Sequence, residues 1–223
     1  DSLLQELKKR GNIKVGFSTF VPWAFRSKTG EMIGYEIDVA KKLGKDTDWD
    51  VELVPMSWDG LIPALLSGKV DILIAGMNAK VSRSLTLAFT MPYEEGGANI
   101  VANRQTAAGR STIADFNTPE TIFAQRRGTS PVASIGRMFP KAQIRQFDDE
   151  NTVKQELLSG RAHVVWTARP QYVFWTLDHP NELYLPMPGV NLEPWIASMA
   201  IKQGDPVFMS FLNNWIRVNN RSN

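Results

Sequence analysis

Arg83 is the residue of this chain best placed to do chemistry on a small ligand. It follows residues 70–75, VDILIA, a run that is apolar at nearly every position. Such a run is expected of a strand whose two faces are both covered by helices. The loop after a strand of that kind lies at the carboxyl edge of an open α/β sheet, where ligands bind. An arginine in that loop is placed to receive a ligand anion. Three other strand ends carry suitable side chains. Strand 13–17 runs into Ser18, Thr19, Phe20 and, past Pro22, Trp23; strand 51–54 leads to Trp58; strand 121–125 leads to Arg126, Thr129, Ser130 and Pro131. Phe20 and Trp23 either pack beneath their loop or floor a ligand, and the residues leave both open. Ser130 as N-cap with Pro131 at the first helical position is a strong helix start. The free amides of that first turn would welcome a carboxylate.

The elements that must position these residues occur twice. Leu65-Leu66-Ser67-Gly68 recurs 92 residues later as Leu157-Leu158-Ser159-Gly160, each copy followed by a basic residue and an apolar strand. Glycine past a helix end takes the left-handed conformation that other residues resist. Two units of about 90 residues with matching strand–loop edges imply two α/β lobes. The fold class expected is therefore α/β, each lobe a mixed sheet flanked by helices.

Along the chain, residues 2–9 read as a helix with Leu3, Leu4 and Leu7 on one face and Gly11 as its stop. Residues 28–31 read as a hairpin turn. A helix begins near 34–40, with Glu36 and Asp38 taken as surface charges suited to its positive end. Ser57 or Asp59 is expected to cap the helix bearing Leu61, Ile62, Leu65 and Leu66, and 85–93 reads as a strand and turn. The second lobe offers strands 99–103, 121–125, 143–147 and 162–167, with helices at 151–158 and 170–177. An apolar strand 196–201 and a closing helix 205–218 complete the chain.

Composition narrows the function classes. The chain has 223 residues, 43% hydrophobic and 22% charged, with net charge +2 and no cysteine. These values are ordinary for a globular protein. No basic run is longer than Lys8-Lys9-Arg10, so nucleic acid is not expected as a partner. Without cysteine there are no disulfides, thiol nucleophiles or Cys-based metal sites, and His163 and His179, sixteen residues apart, do not suggest zinc. No metal and no cofactor are expected. No apolar run approaches the 18 or more residues a membrane helix needs. The chain opens on an amphipathic helix, as a mature protein with its signal peptide removed would. Seven Trp and eleven Phe are generous for this length, and in a binding site they become stacking surfaces.

Several of these stretches together resemble a known family. GYEIDVA at 34–40, SWDGLIPALLSGKVDILIAGM at 57–77, MPY at 91–93, RRGTS at 126–130 and EPWIASMAIKQGDP at 193–206 are similar to the periplasmic solute-binding proteins for polar amino acids. The resemblance runs the length of the chain. It implies a two-lobed, type II periplasmic-binding-protein-like fold with the ligand in the cleft. Lobe 1 would comprise 1–97 and 195–223 and lobe 2 98–194, with hinges near 96–100 and 190–196. It further implies a monomer that works outside the cytoplasm and hands a small-molecule ligand to an ABC transporter permease. Carried over by position, Arg83 would hold the ligand α-carboxylate, and Ala75, Gly76 and Asn78 would supply hydrogen bonds. Phe20 and Trp58 would sandwich the ligand side chain. Thr129 and Ser130 would also touch the carboxylate, and Arg126 would reach toward the side chain.

Two departures bear on the cargo. The family's acid after the second-lobe strand, which accepts the ligand ammonium, falls on Ala168, next to Thr167. The first-loop position that is often Asp is Ser18. Burying an ammonium without a counter-charge is costly. Either Glu94, Glu95 or Glu193 replaces the missing acid, or the ligand has no free ammonium, as in a dicarboxylate or an opine-like compound. Two rivals remain open at this stage. Cyclohexadienyl dehydratases resemble the same fold but need a cleft acid, and positions 168–171 read Ala-Arg-Pro-Gln. A sensor domain of a larger receptor is the other.

Overall fold

In the computed structural model, residues 1–19 and 21–220 are described. The chain divides into two compact units: Asp1–Glu95 with Trp195–Asn223, here lobe 1, and Gly96–Pro194, here lobe 2.

Lobe 1 begins with helix α1 (Leu3–Arg10), strand β1 (Asn12–Phe17) and a small hairpin of β2 (Phe25–Arg26) and β3 (Met32–Ile33). Helix α2 (Tyr35–Thr47), β4 (Asp50–Pro55), a 3-10 turn at Trp58–Gly60, α3 (Leu61–Leu66), β5 (Ile72–Leu73), α4 (Val81–Ser84) and β6 (Leu87–Gly96) follow. Lobe 2 contains β7 (Ala98–Asn103), α5 (Ile113–Phe116), β8 (Ile122–Arg126), α6 (Ser130–Met138), β9 (Gln143–Phe147), α7 (Glu150–Leu158), β10 (Val164–Ala168), α8 (Gln171–Asp178) and β11 (Leu183–Tyr184). The chain then returns to lobe 1 with β12 (Trp195–Lys202) and α9 (Pro206–Asn220).

The two five-stranded sheets have matching orders, β4-β1-β5-β12-β6 and β9-β8-β10-β7-β11. In each, the first three strands are mutually parallel and the fourth is antiparallel to the third. Helices α1, α2 and α9 cover one face of the first sheet around Leu7, Leu43, Phe208 and Leu212, and α3 covers the other with Leu61 and Leu65. In lobe 2, Ile135 of α6 and Phe139 just beyond it pack on one face, and α7 and α8 contribute Val153, Leu157 and Trp175 to the other. All six residues of β7 are buried, as a strand covered on both faces requires.

The two copies of the duplicated stretch share one backbone turn. Gly68 and Gly160 have φ of 79° and 77°. Ser67 and Ser159 bond back to the carbonyls of Pro63 and Gln155 at 3.0 Å each. The match extends to the next polar position. The Lys14 N–H donates to the Asp71 carboxylate at 2.7 Å, and the Ile122 N–H donates to His163 Nδ1 at 3.0 Å. Asp71 and His163 are 92 residues apart, so one structural position is filled by two different acceptors. Accepting at Nδ1 requires a neutral imidazole with its proton on Nε2. Burial, then Arg110 and Arg145, lower its pKa accordingly.

Several local expectations are corrected. The strand expected at 70–75 is regular only over Ile72–Leu73, although Asp71 and Ile74 still bond to β1 through the Lys14 and Gly16 carbonyls. Of the strand and turn expected at 85–93, the strand is present from Leu87 as β6, and the turn is not, because β6 runs straight through Pro92. Its place at the edge of the sheet explains this, since an edge strand tolerates the lost donor. Helix α7 starts one residue before its expected bound because Asp149 caps it, accepting from Thr152 N–H at 2.7 Å. Among the described residues, no helix is long and apolar enough to cross a membrane.

Candidate functional site

The expected ligand residues of lobe 1 gather at the carboxyl ends of β1, β4 and β5. Arg83 is not in a loop, as expected, but on the single helical turn α4. That turn fixes its direction. Nη1 donates to the Asn78 carbonyl at 2.9 Å, and the guanidinium lies over the Trp58 ring, 5.6 Å from its centroid. Its other N–H groups have no protein acceptor among the described residues. The planar fork is thus oriented by its neighbours while an edge remains for two carboxylate oxygens. Trp58 is 42% exposed, a large aromatic surface at a strand end. The capping expected of Ser57 or Asp59 is not observed, because a 3-10 turn intervenes before α3 and Ser57 makes no side-chain cap. Ala75, Gly76 and Asn78, a few residues before Arg83, are half-buried, as is Ser18 just past the end of β1. Phe20 lies outside the described residues. Trp23 packs edge-on against Tyr35 and Trp195, with centroids 6.1 and 5.5 Å away.

The support beneath this loop was not foreseen. Glu36, expected on the surface, is 2% exposed; Asp38 is the exposed one. Tyr93, from β6, donates its hydroxyl proton to Glu36 Oε2 and accepts the Gly76 N–H at 3.0 Å. The Gly76 amide expected to serve the ligand is therefore engaged within the lobe. Gly76 has φ of 64°, and a Cβ there would lie 3.1 Å from Glu36 Oε1, an oxygen with no partner. Gly34 allows the start of α2 to lie against the loop between β1 and β2: a Cβ would sit 2.4 Å from the Trp23 carbonyl. The missed signal was long-range, since Glu36 and Tyr93 are 57 residues apart.

Glu94 joins this group beside a cavity of about 380 Å³ lined by Tyr35, Pro92, Tyr93, Glu94, Glu95 and Asn220. Burial raises the Glu36 pKa to about 7, against the lowering effect of the Tyr93 hydroxyl. Burial and the Glu36 charge raise Glu94 to about 8. Burial, Glu94 and Glu36 push Tyr35 to about 12, and burial with Glu36 holds Tyr93 far above its ordinary value. The folded state keeps protons that the unfolded chain releases above the model-peptide value of about 4.5, so stability is complete below that pH and is lost as pH rises through 7 and 8. We expect Tm to fall by roughly 5 °C between pH 6.5 and 9, on the order of 2 kcal/mol for a chain of this size. The decline should shrink by half or more in Glu94→Gln. The lowered His163 acts in the opposite sense and below about pH 6.5, so a scanning-calorimetry series above that value isolates the carboxyl pair. An identical slope in the variant would refute the assignment.

The expected ligand residues of lobe 2 lie at the ends of β8 and β10. Arg126 is the exposed last residue of β8, and its charge opposes the burial that raises Glu150. The helix cap falls on Thr129 rather than Ser130, with Ser130 as the first residue of α6. The Thr129 hydroxyl turns back to the Arg126 carbonyl at 2.8 Å instead of capping, which leaves the first-turn amides without a side-chain acceptor. Thr167 is buried and its hydroxyl is committed to Gln171 at 2.8 Å. Ala168 ends β10, paired with Ala98, and presents only a methyl group. Of the alternative acids, Glu193 accepts from the Ser134 hydroxyl, at 2.9 and 2.8 Å from its two oxygens, and from the Arg137 guanidinium at 3.5 Å. Glu95 is exposed and Glu94 half-buried. Among the described residues no group of acids and histidines is arranged to hold a metal.

Residues 13–222 match the family described as bacterial extracellular solute-binding proteins, family 3. The chain belongs to this family. Its fold is the family's two-lobed, type II periplasmic-binding-protein form, with two mixed sheets flanked by helices. It is similar in structure to an Ancestral Cationic Amino Acid Solute Binding Protein, with a TM-score of 0.86 and 32% identity over 99% of this chain and 95% of that one. A putative ABC-transporter binding component from Wolinella succinogenes, complexed with lysine, matches with a TM-score of 0.78 and 30% identity, covering 96% and 91%. Among curated relatives, the L-cystine-binding protein TcyJ of Escherichia coli is 25% identical over 76% of this chain and 63% of its own length. The cyclohexadienyl dehydratase of Pseudomonas aeruginosa is 21% identical over 100% of this chain and 82% of its own. The chain thus spans a little under two-thirds of the first of these relatives.

Proposed function

We propose that this family 3 solute-binding protein captures a small carboxylate-bearing ligand outside the cytoplasm and delivers it to an ABC importer, working as a monomer. The observation that carries the reading is the Arg83 guanidinium, fixed by the Asn78 carbonyl and Trp58 with an edge left for a carboxylate. Two half-sites share the ligand: Arg83, Asn78, Ser18 and Trp58, joined by Phe20, from lobe 1, and Arg126, the Thr129–Ser130 helix start and the Thr167–Ala168 strand end from lobe 2. Closure of the lobes accompanies binding, because each supplies part of the contacts. The ligand lacks a free α-ammonium, since Ala168 offers no charge and Glu193 is taken up by Ser134. The protein is a binder and not a dehydratase, because residues 168–171 supply no acid to protonate a leaving group.

The test is a thermal-shift panel of standard L-amino acids, C4–C6 dicarboxylates and opines, with hits measured by calorimetric titration. A ligand at a hundredfold excess over Kd stabilises by about 2.7 kcal/mol, a readable rise in Tm. Dicarboxylates or opines are expected to shift Tm while simple amino acids do not. A strong shift with an ordinary α-amino acid would overturn the cargo assignment. Formation of an aromatic product from prephenate or arogenate would overturn the binding-only reading.

A further inference from the structure

We propose that Glu36 and Tyr93 are positioning residues for the ligand loop, and that the protonation of Glu36 is transmitted through the Tyr93 hydroxyl to the Gly76 amide. The inference rests on the reading of residues 75–78 as part of the ligand site. Three observations carry it. The Tyr93 oxygen is the acceptor of the Gly76 N–H at 3.0 Å, while its proton goes to Glu36 Oε2. Glu36 is almost fully buried and its second oxygen, beside Gly76, has no partner. Gly76 sits two residues before Asn78, whose carbonyl holds Arg83.

The chemistry gives the transmission a direction. A hydrogen bond to a carboxylate is shorter and stronger than one to a neutral carboxyl. Ionised Glu36 draws the Tyr93 proton toward itself, enriches the phenol oxygen and strengthens its bond to the Gly76 N–H, because linked hydrogen bonds polarise one another. The groups facing Glu36 are few. Tyr35 lies beside it on α2. Tyr93, Glu94 and the exposed Glu95 come from β6. The loop between β1 and β2 contributes the Trp23 carbonyl, which accepts the Glu36 N–H at 2.8 Å. Neither Glu36 nor Glu94 forms an ion pair with Lys or Arg among the described residues, so no fixed positive charge pins either one ionised. Arg221 follows Asn220 in sequence and lies outside the described residues.

Amide NMR on the ligand-free protein tests the proposal. In the wild type, the Gly76 amide proton should move downfield as pH rises from 6 to 8.5, with the same midpoint as the Glu36 carboxyl carbon. Glu36→Gln keeps an acceptor for Tyr93, so Gly76 should remain protected from exchange while its titration disappears. Tyr93→Phe should lose the titration and at least tenfold of the Gly76 protection. A Gly76 signal that does not titrate in the wild type, one that still titrates in Glu36→Gln, or one abolished by Glu94→Gln alone would overturn the proposal. If Tyr93→Phe fails to fold, the Glu36→Gln comparison decides by itself. Because no ligand is present, failure here leaves the Arg83 assignment standing, and failure of that assignment leaves this coupling intact.

Discussion

Arg83→Ala is expected to abolish measurable binding of any ligand found for this protein. A bidentate arginine–carboxylate pair comprises two charge-assisted hydrogen bonds, together on the order of 3–4 kcal/mol, or a hundredfold to a thousandfold in Kd. Arg83→Lys should recover only part of this, because an ammonium cannot present two parallel donors to one carboxylate. The folded protein should hardly notice either change. Arg83 is half-exposed, and its contacts are one carbonyl and one aromatic face. A Tm within about 2 °C of wild type, together with flat calorimetric titrations, would match the assignment. Wild-type affinity in Arg83→Ala would sink it.

Ala168→Asp is expected to act in the opposite direction and create affinity for ordinary α-amino acids. The position ends β10 as a half-exposed methyl group. A carboxylate there would meet a ligand ammonium in a charge-assisted bond of about 1.5–3 kcal/mol, roughly a tenfold to a hundredfold gain. The same charge should weaken a dicarboxylate through like-charge repulsion. The measurement is the amino-acid arm of the thermal-shift panel, repeated on the variant. If no amino acid gains and no dicarboxylate loses, the alignment of Ala168 with an ammonium site is wrong.

The parts of the molecule that read well from sequence are those set by neighbouring residues. The helix–Ser-Gly–strand junctions were legible because a left-handed glycine and a following apolar run are local, and both copies adopt nearly identical dihedrals. The hairpin at 28–31 was legible for the same reason, with Gly30 at φ 84° closing it. Glu36 was misread because a carboxylate in the first turn of a helix is usually solvated. What buries this one is Tyr93, on a strand much later in the chain. The run of β6 through Pro92 likewise depends on that strand being at the sheet edge, a fact of topology. Arg83 was found by its chemical type, but the turn that aims it was not, since four residues carry no helical period. The absence of an acid at Ala168 came from the family resemblance; no pattern in the chain by itself marks an alanine as a missing group.

The passage of the chain out of lobe 1 and back has a consequence for how the protein is made. Strand β12 occupies the interior of the first sheet, between β5 and β6, yet it is synthesised only after the whole of lobe 2. The start of α9 is also tied to the start of α1: the Asp205 carboxylate accepts from the Leu3 N–H and the Ser2 hydroxyl at 2.7 Å each, across some two hundred residues. Lobe 2 is one unbroken segment and needs nothing outside it to complete its sheet. Contacts so distant in sequence form slowly, because the loop they close must first lose its freedom. Lobe 2 therefore finishes first, while the half of lobe 1 that bears Arg83 waits with an open sheet edge for residues 195–202 to arrive.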